Sequence, residues 1–288
     1  MTNIKLIRTT LALTLTTLLL APVAQAHQGT MPATVQVQGK DYSFGSPKTL
    51  PTGWTTFEFK NDGQEPHHMQ LVRLPDGMTQ DTFLANLKQN EGATLAQVDM
   101  VGGVGVLMPG QSQQITLNLT DPGTYLELCF VPDAKGVPHL ALGMVSAVQV
   151  TASQAASAEP PHADLKVKLQ DFGFELPKGA TIHEGTQVWE IENVGPEGHE
   201  MAILQIAPGK TLDDISKYVA SPEGAPPFIF AGGAQAVTSG HTSYAQLNLK
   251  AGNYVLVCFL PSPTHKGMPH MALGMVRPFT VEAGSAAH

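Results

Sequence analysis

Apolar and polar residues alternate in short runs, separated by turn residues, along most of this 288-residue chain. Residues 34–38 (TVQVQ), 54–59 (WTTFEF), 68–74 (HMQLVRL), 113–119 (QQITLNL), 124–131 (TYLELCFV) and 144–150 (MVSAVQV) have the alternating, β-branched character of strands. The series then returns as DLKVKL, TQVWEIEN, EMAILQI, SYAQLNL, NYVLVCFL and MVRPFTV. Asp121-Pro122-Gly123 and Ala251-Gly252 signal turns before the fifth run of each series. Helical periodicity predicts one helix per series, over 79–89 and 211–220, with Thr79 and Thr211 as N-caps. Seven or eight short strands in about 120 residues predict a β-sandwich. The fold class is therefore all-β, two sandwiches in tandem, each with one short helix insertion.

The repeat extends beyond hydropathy. Asp41-Tyr42-Ser43-Phe44 matches Asp171-Phe172-Gly173-Phe174, and the segment from Asn61 to His67 (NDGQEPH) matches that from Asn193 to His199 (NVGPEGH). Gly102-Gly103 matches Gly232-Gly233, and Leu117-Asn118-Leu119 matches Leu247-Asn248-Leu249, with an offset of 130 to 132 residues throughout. Residues 152–163 (ASQAASAEPPHA) lack apolar periodicity and read as a linker. The organisation expected is a first domain over 27–151, the linker, a second domain over 164–282, and a loose tail over 283–288. Residues 1–26 combine Lys5 and Arg8, a short apolar run and the small-x-small triplet Ala24-Gln25-Ala26. That is the pattern of a cleaved export signal, and it predicts a periplasmic or secreted protein with no membrane span after cleavage.

Charge narrows the partners. The chain carries 16 basic and 24 acidic residues, a net −8, and removal of the basic leader makes the remainder more acidic still. Nucleic-acid binding is excluded on that ground.

The chemistry sits in one repeated segment. Residues 123–145 (GTYLELCFVPDAKGVPHLALGMV) and 252–276 (GNYVLVCFLPSPTHKGMPHMALGMV) each place a Cys, a His and a Met in the same order. Cys129 and Cys258 are the two cysteines of the chain. Matching positions in two separately folded domains are expected to lie apart, which argues against a disulfide between them. Alternation puts Tyr125, Glu127 and Cys129 on one strand face, and Tyr254, Leu256 and Cys258 on its counterpart. A loop then returns His139 or His270, and Met144 or Met275 opens the next strand. His67 and His199 follow the Asn-x-Gly turns and are the candidate fourth donors. Thiolate, thioether and imidazole together are the soft set that favours copper. Met69 and Met201 are expected in the core. His162, His183, His241 and His288 are expected on the surface, and His27 becomes a possible N-terminal copper chelator after cleavage.

On these residues the chain resembles the cupredoxins, the type 1 blue copper proteins. Asn61, Gly63, Pro66 and His67, then Gly123, Tyr125, Cys129, His139, Gly143 and Met144, follow that family's pattern. Asn193, Gly195, His199, Gly252, Tyr254, Cys258, His270, Gly274 and Met275 follow it again, so the resemblance spans both repeats. It implies two Greek-key cupredoxin-like sandwiches, each with one type 1 copper held by His67, Cys129, His139 and axial Met144, or by His199, Cys258, His270 and axial Met275. It also implies single-electron exchange with a redox protein partner, with the exposed edge of the second His as the electron exit. Metal occupancy should fall at acid pH, since the thiol must lose its proton and each imidazole stay neutral.

Some positions depart from the family. The Cys-to-His loops hold nine and eleven residues, long for small members and nearer the two-domain copper nitrite reductases. His265 stands in the second loop as a rival to His270. Glu127 sits where an apolar residue is expected, and His68 and Glu200 replace a customary Asn. Leu128 and Val257 occupy the position where copper nitrite reductases and oxidases carry a His that wires the centre to further copper, and no His-x-His pair is present. The expectation is an electron carrier with no catalytic residues. A copper carrier or buffer, or a metal-free binding module, are the other readings.

Overall fold

The computed structural model describes residues 30–154 and 158–284. The leader with His27, three linker residues, and the chain end with His288 lie outside the described residues.

The first half runs β1 (Ala33–Lys40), β2 (Ser43–Gly45), β3 (Thr49–Pro51), β4 (Gly53–Asn61), β5 (His67–Arg73), α1 (Gln80–Gln89), α2 (Glu91–Leu95), β6 (Asp99–Leu107), β7 (Ser112–Leu119), β8 (Gly123–Leu128) and β9 (Val145–Thr151). The second half runs β10 (Leu165–Gln170), β11 (Gly173–Glu175), β12 (Ile182–His183), β13 (Gly185–Asn193), β14 (His199–Ile206), α3 (Leu212–Ala220), β15 (Phe228–Val237), β16 (Thr242–Leu249), β17 (Gly252–Val257) and β18 (Val276–Glu282). All twelve predicted strands form. Both predicted helices form behind their predicted caps: Thr79 accepts the Thr82 N–H, and Thr211 closes a reciprocal capping box with Asp214. The first half adds α2, capped by the Asn90 side chain, where one helix was expected.

β6 and β15 were not predicted. Their sequences, DMVGGVGVL and FIFAGGAQAV, are interrupted by Gly-Gly pairs, which weaken the strand signal. They are the seam of the molecule. β6 pairs with β15 and β7 pairs with β16, both antiparallel, so the halves fuse into continuous sheets of eight and ten strands. The glycines follow from close approach. A Cβ on Gly105 would lie 2.6 Å from the Gly232 backbone carbon, and one on Gly103 or Gly233 would strike the Met69 or Met201 carbonyl. Gln113 ties the seam at both polar ends, donating to the Gly233 carbonyl (2.7 Å) and accepting its N–H (3.0 Å).

The two sheets enclose one apolar core that runs through both halves and holds Cys129, Met144, Cys258 and Met275 as well as Met69 and Met201. The ten-stranded sheet is also covered on its outer side. Leu126 and Leu128 point outward onto Phe83 of α1, and Val255 and Val257 point outward onto Ile215 of α3. β5 and β14 are consequently buried on both faces rather than alternating in and out.

Candidate metal centre

Backbone hydrogen bonds fold each Cys–His–Met segment onto itself. The Leu140 N–H donates to the Cys129 carbonyl (2.8 Å), the Cys129 N–H to the Met144 carbonyl (3.3 Å), and the Met144 N–H to the His139 carbonyl (2.9 Å). A 3-10 turn over His139–Leu142 ends at Gly143, whose φ of 108° is left-handed and suits glycine. Met271, Cys258, Met275 and Gly274 repeat the pattern at 2.9, 3.3 and 3.0 Å with φ 110°. Three predicted donors are therefore gathered locally, whatever the loop length.

The fourth arrives from β5 or β14. Asn61 closes the turn before His67: its side-chain oxygen accepts the Gly63 N–H, and its amide donates to the Glu65 and Leu107 carbonyls. Asn193 does the same with Gly195, Glu197 and Val237. Glycine is needed inside the turn because a Cβ on Gly63 would lie 2.6 Å from His67 Nε2, and on Gly195 2.8 Å from His199 Nε2.

The donors converge as two equivalent groups, His67–Cys129–His139 and His199–Cys258–His270, each with its donor atoms within 4.8 Å of one another. The two imidazole Nδ1 atoms stand 3.0 Å apart in both halves. Cys129 Sγ is 4.0 and 3.6 Å from the Nδ1 atoms of His67 and His139, and Cys258 Sγ is 3.4 Å from that of His270. All six residues are buried, as are Met144 and Met275. Both cysteines are free. His265 takes no part: its ring bonds to Ser262 and Thr264 and packs on Phe172.

Four carboxylates that sequence reasoning did not assign fix the tautomers. His67 Nε2 donates to Asp41 (2.6 Å) and His139 Nε2 to Glu65 (2.8 Å); His199 donates to Asp171 (2.6 Å) and His270 to Glu197 (3.0 Å). With the proton on Nε2, each Nδ1 presents a lone pair to its neighbour. Two lone pairs 3.0 Å apart beside a buried sulfur repel unless a cation lies among them, so the donor set fits a metal. Burial lowers the pKa of His67 and of His199, despite the opposing Asp41 and Asp171, which favours the neutral rings. Burial pushes the Cys129 thiol up to about 12, against the His68 and Val131 N–H groups, and pushes Cys258 up further. The thiolate form thus depends on a bound cation.

The same bonds correct the expected exposed edge. His139 and His270 are wholly buried, and their outer nitrogens are covered by Glu65 and Glu197. The carboxylates were legible as repeats, since each lies in a matched block, but nothing in the pattern gave them a partner. His241 is likewise not a free surface residue: it is half-buried and pairs with Asp99 across the seam at 3.2 Å. His162 and His183 are exposed, as expected. His68 and Glu200 do one job in the two halves, accepting the N–H of the residue after the cysteine, Phe130 at 2.5 Å and Phe259 at 2.8 Å.

No family model matches the chain, and no curated protein matches it. Among solved structures it is similar to a dithionite-reduced auracyanin of Roseiflexus castenholzii, at 25% identity over 43% of this chain and 99% of that one, with a TM-score of 0.31. It is also similar to auracyanin A of Chloroflexus aurantiacus, a "blue" copper protein, at 19% identity over 42% and 99%, with a TM-score of 0.29. A multicopper oxidase is similar over 87% of this chain and 88% of that one, at 14% identity and a TM-score of 0.25. A β-sandwich arrangement in each half, with a buried His–Cys–His group in each, is the arrangement that the sequence resemblance to the cupredoxins implied.

Proposed function

We propose that the protein is an exported single-electron carrier with one type 1 copper in each half. His67, Cys129 and His139 would hold one copper and His199, Cys258 and His270 the other, with Met144 and Met275 as candidate thioether donors. The observation that carries this is the pair of Nδ1 lone pairs facing each other across 3.0 Å beside a buried sulfur. Copper supplies a one-electron couple there. The chain holds the donors in a preset geometry, so little rearrangement accompanies the change of oxidation state. The carboxylates fix both rings and raise their basicity, and the apolar shell excludes water. Leu128 and Val257, next to the cysteines, pack into the outer apolar clusters and carry no metal-ligating atom, which favours a carrier over an enzyme. A redox protein is the partner, and the leader over residues 1–26 favours a periplasmic location.

The test is copper loading of the purified protein. Two equivalents should bind, with an intense thiolate-to-Cu(II) visible band and a reversible couple. Cys129→Ser and Cys258→Ser should each remove one equivalent. Tight Cu(I) binding without a reversible couple would favour a carrier or buffer of the metal instead, and no uptake would leave a metal-free module.

A further inference from the structure

His265, the rival to His270 in the sequence, is left over by the second centre, and the loop that carries it differs from its counterpart. Aligned on Lys-Gly-x-Pro-His, His265 and Met268 stand where the first half has Ala134 and Val137. At these two positions the second half alone offers an imidazole and a thioether. The loop is closed tightly. The Ser262 N–H donates to the Met268 carbonyl (2.9 Å), the Gly267 N–H to the Ser262 carbonyl (2.9 Å), and Pro261 bridges to Pro269. At the tip the Met268 N–H donates to the His265 carbonyl (3.1 Å) across Lys266 and Gly267, whose φ values of 59° and 76° are both positive. That is the pattern of a type I′ turn, which sets its first and fourth residues side by side with Cβ atoms about 4.5–5.5 Å apart.

Hydrogen bonding fixes which nitrogen His265 offers. The Ser262 and Thr264 hydroxyls both donate to Glu197 Oε1, so neither has a proton left for the ring. His265 Nδ1, 3.1 Å from Ser262 Oγ and 2.9 Å from Thr264 Oγ1, therefore donates to them. Nε2 is then the bare nitrogen, with its lone pair unused. The ring is held edge to face on Phe172 at 5.1 Å, and the residue is exposed. Its neighbour across the turn, Met268, is 46% exposed, whereas Met69, Met144, Met201 and Met275 are all buried. A thioether kept in water beside a free imidazole nitrogen, on a turn already set, is a pair of soft donors that packing does not account for.

We propose that His265 Nε2 and Met268 Sδ form a surface site for a soft monovalent cation of the Cu(I) class. Thioether sulfur selects such an ion over Mg²⁺ or Ca²⁺, and imidazole suits copper in either state. The site is separate from the interior group. Phe172 stands between them, packing on His265 at 5.1 Å and on His270 at 5.0 Å. Glu197 also joins them, taking the Ser262 and Thr264 hydroxyls on one oxygen and His270 Nε2 on the other. On the copper reading of the function, the turn is a handhold for the metal outside the half whose histidine cap is nearly shut off from water. The site itself does not rest on that reading.

The test uses the full chain carrying Cys129→Ser and Cys258→Ser, which removes the interior thiols, and Ag(I) in chloride-free buffer as a soft probe. If circular dichroism shows that the serines unfold the chain, Cys129→Ala with Cys258→Ala, which adds no polar group to the core, takes their place. Isothermal titration should show a saturable equivalent that His265→Gln and Met268→Leu each weaken at least about tenfold, since losing a donor costs no less than losing a group that orients one. The same equivalent should move the ε-methyl NMR signal of Met268. Met31→Leu, which deletes a thioether 72% exposed, should leave the affinity unchanged. Absence of a saturable equivalent overturns the proposal, as does an affinity that either His265→Gln or Met268→Leu leaves unchanged. An equal loss from Met31→Leu also overturns it, because any exposed thioether would then bind. Copper loading of the unaltered chain reads the interior centres separately, so the two readings fail independently.

Discussion

The two halves hold the same donor triad at the same Nδ1 separation and wrap it differently. In the first half Glu65, which covers His139, keeps a third of its side chain exposed and takes a hydrogen bond from the Tyr42 hydroxyl at 3.3 Å. In the second half Glu197, which covers His270, is 6% exposed and is held by Ser262 (3.1 Å) and Thr264, while Phe172 replaces the tyrosine. Ser262, Thr264 and His265 come from the two extra residues of the longer loop and its neighbours. The triad is therefore set by the backbone bonds that are common to both halves. Loop length sets only how well the triad is sealed. The cap over His270 is nearly shut off from water, whereas the cap over His139 leads through Glu65 to the surface.

The sharpest asymmetry is Glu127, buried in the first half where the second has Leu256. Ser46 donates to one of its oxygens at 2.6 Å, and the other has no partner. Burial pushes its pKa up from 4.5 to about 7, against the Ser46, Ser146 and Lys48 contacts that favour charge. A carboxyl whose folded pKa is raised stays protonated in the fold while the unfolded chain ionises, so stability falls as pH rises from about 4.5 to about 7. In the metal-free protein Glu127→Gln should remove that loss, raising unfolding free energy by about 3 kcal/mol at pH 8 and by little at pH 4. Urea unfolding at the two pH values measures it. An equal change at both would mean that the charge is not the cause, and the halves would then be more alike than the geometry says.

The carboxylate caps give the next largest effect. Outer hydrogen bonds to ligand imidazoles are worth about 10- to 100-fold in metal affinity. Glu197→Gln should fall near the upper end, because the replaced charge is buried and water cannot take its place. Glu65→Gln should fall near the lower end, because solvent reaches that site. Competition titration against a copper chelator, with the opposite centre removed by its Cys→Ser change, reads each in turn. Equal losses would show that exposure of the cap does not tune the site.

How much of this was legible in the chain depends on how far apart the interacting residues are. Strands such as TVQVQ and QQITLNL declare themselves because alternation is local. Cys129 and His139 declare themselves because one loop carries both, and the Asn61–His67 turn adds the other imidazole of the group. β6 and β15 did not, since the glycines that weaken their strand signal answer to backbone from elsewhere, Gly105 to Gly232 above all. That pairing also makes the halves one continuous body, which the Ala/Ser/Pro linker alone does not suggest. Asp41 and Glu65 repeated faithfully as Asp171 and Glu197, yet an acid in a turn segment has no visible partner until the fold brings an imidazole to it. For the same reason the edge of His139 was expected in solvent and is instead capped.

The smallest effect concerns the seam that joins the two centres. His241 and Asp99 pair across it at 3.2 Å, with Asp121 nearby on the His241 side and Arg73 on the Asp99 side. The Asp99 hydrogen bond raises the His241 pKa, with burial opposing. Burial acts to raise the Asp99 pKa as well, but its bond and attraction to His241 outweigh it and lower it. A histidine raised in the fold stabilises fully below its unfolded value of about 6.5, and that stabilisation is lost as pH rises through the folded pKa. His241→Asn should therefore cost about 1 kcal/mol or less at pH 5.5 and nothing measurable at pH 9. A loss that persists at pH 9 would contradict the charged pair. Loss at neither pH would mean that strand pairing and the Gln113 amide hold the seam unaided, so that the registry between the two centres is fixed by backbone and insensitive to pH.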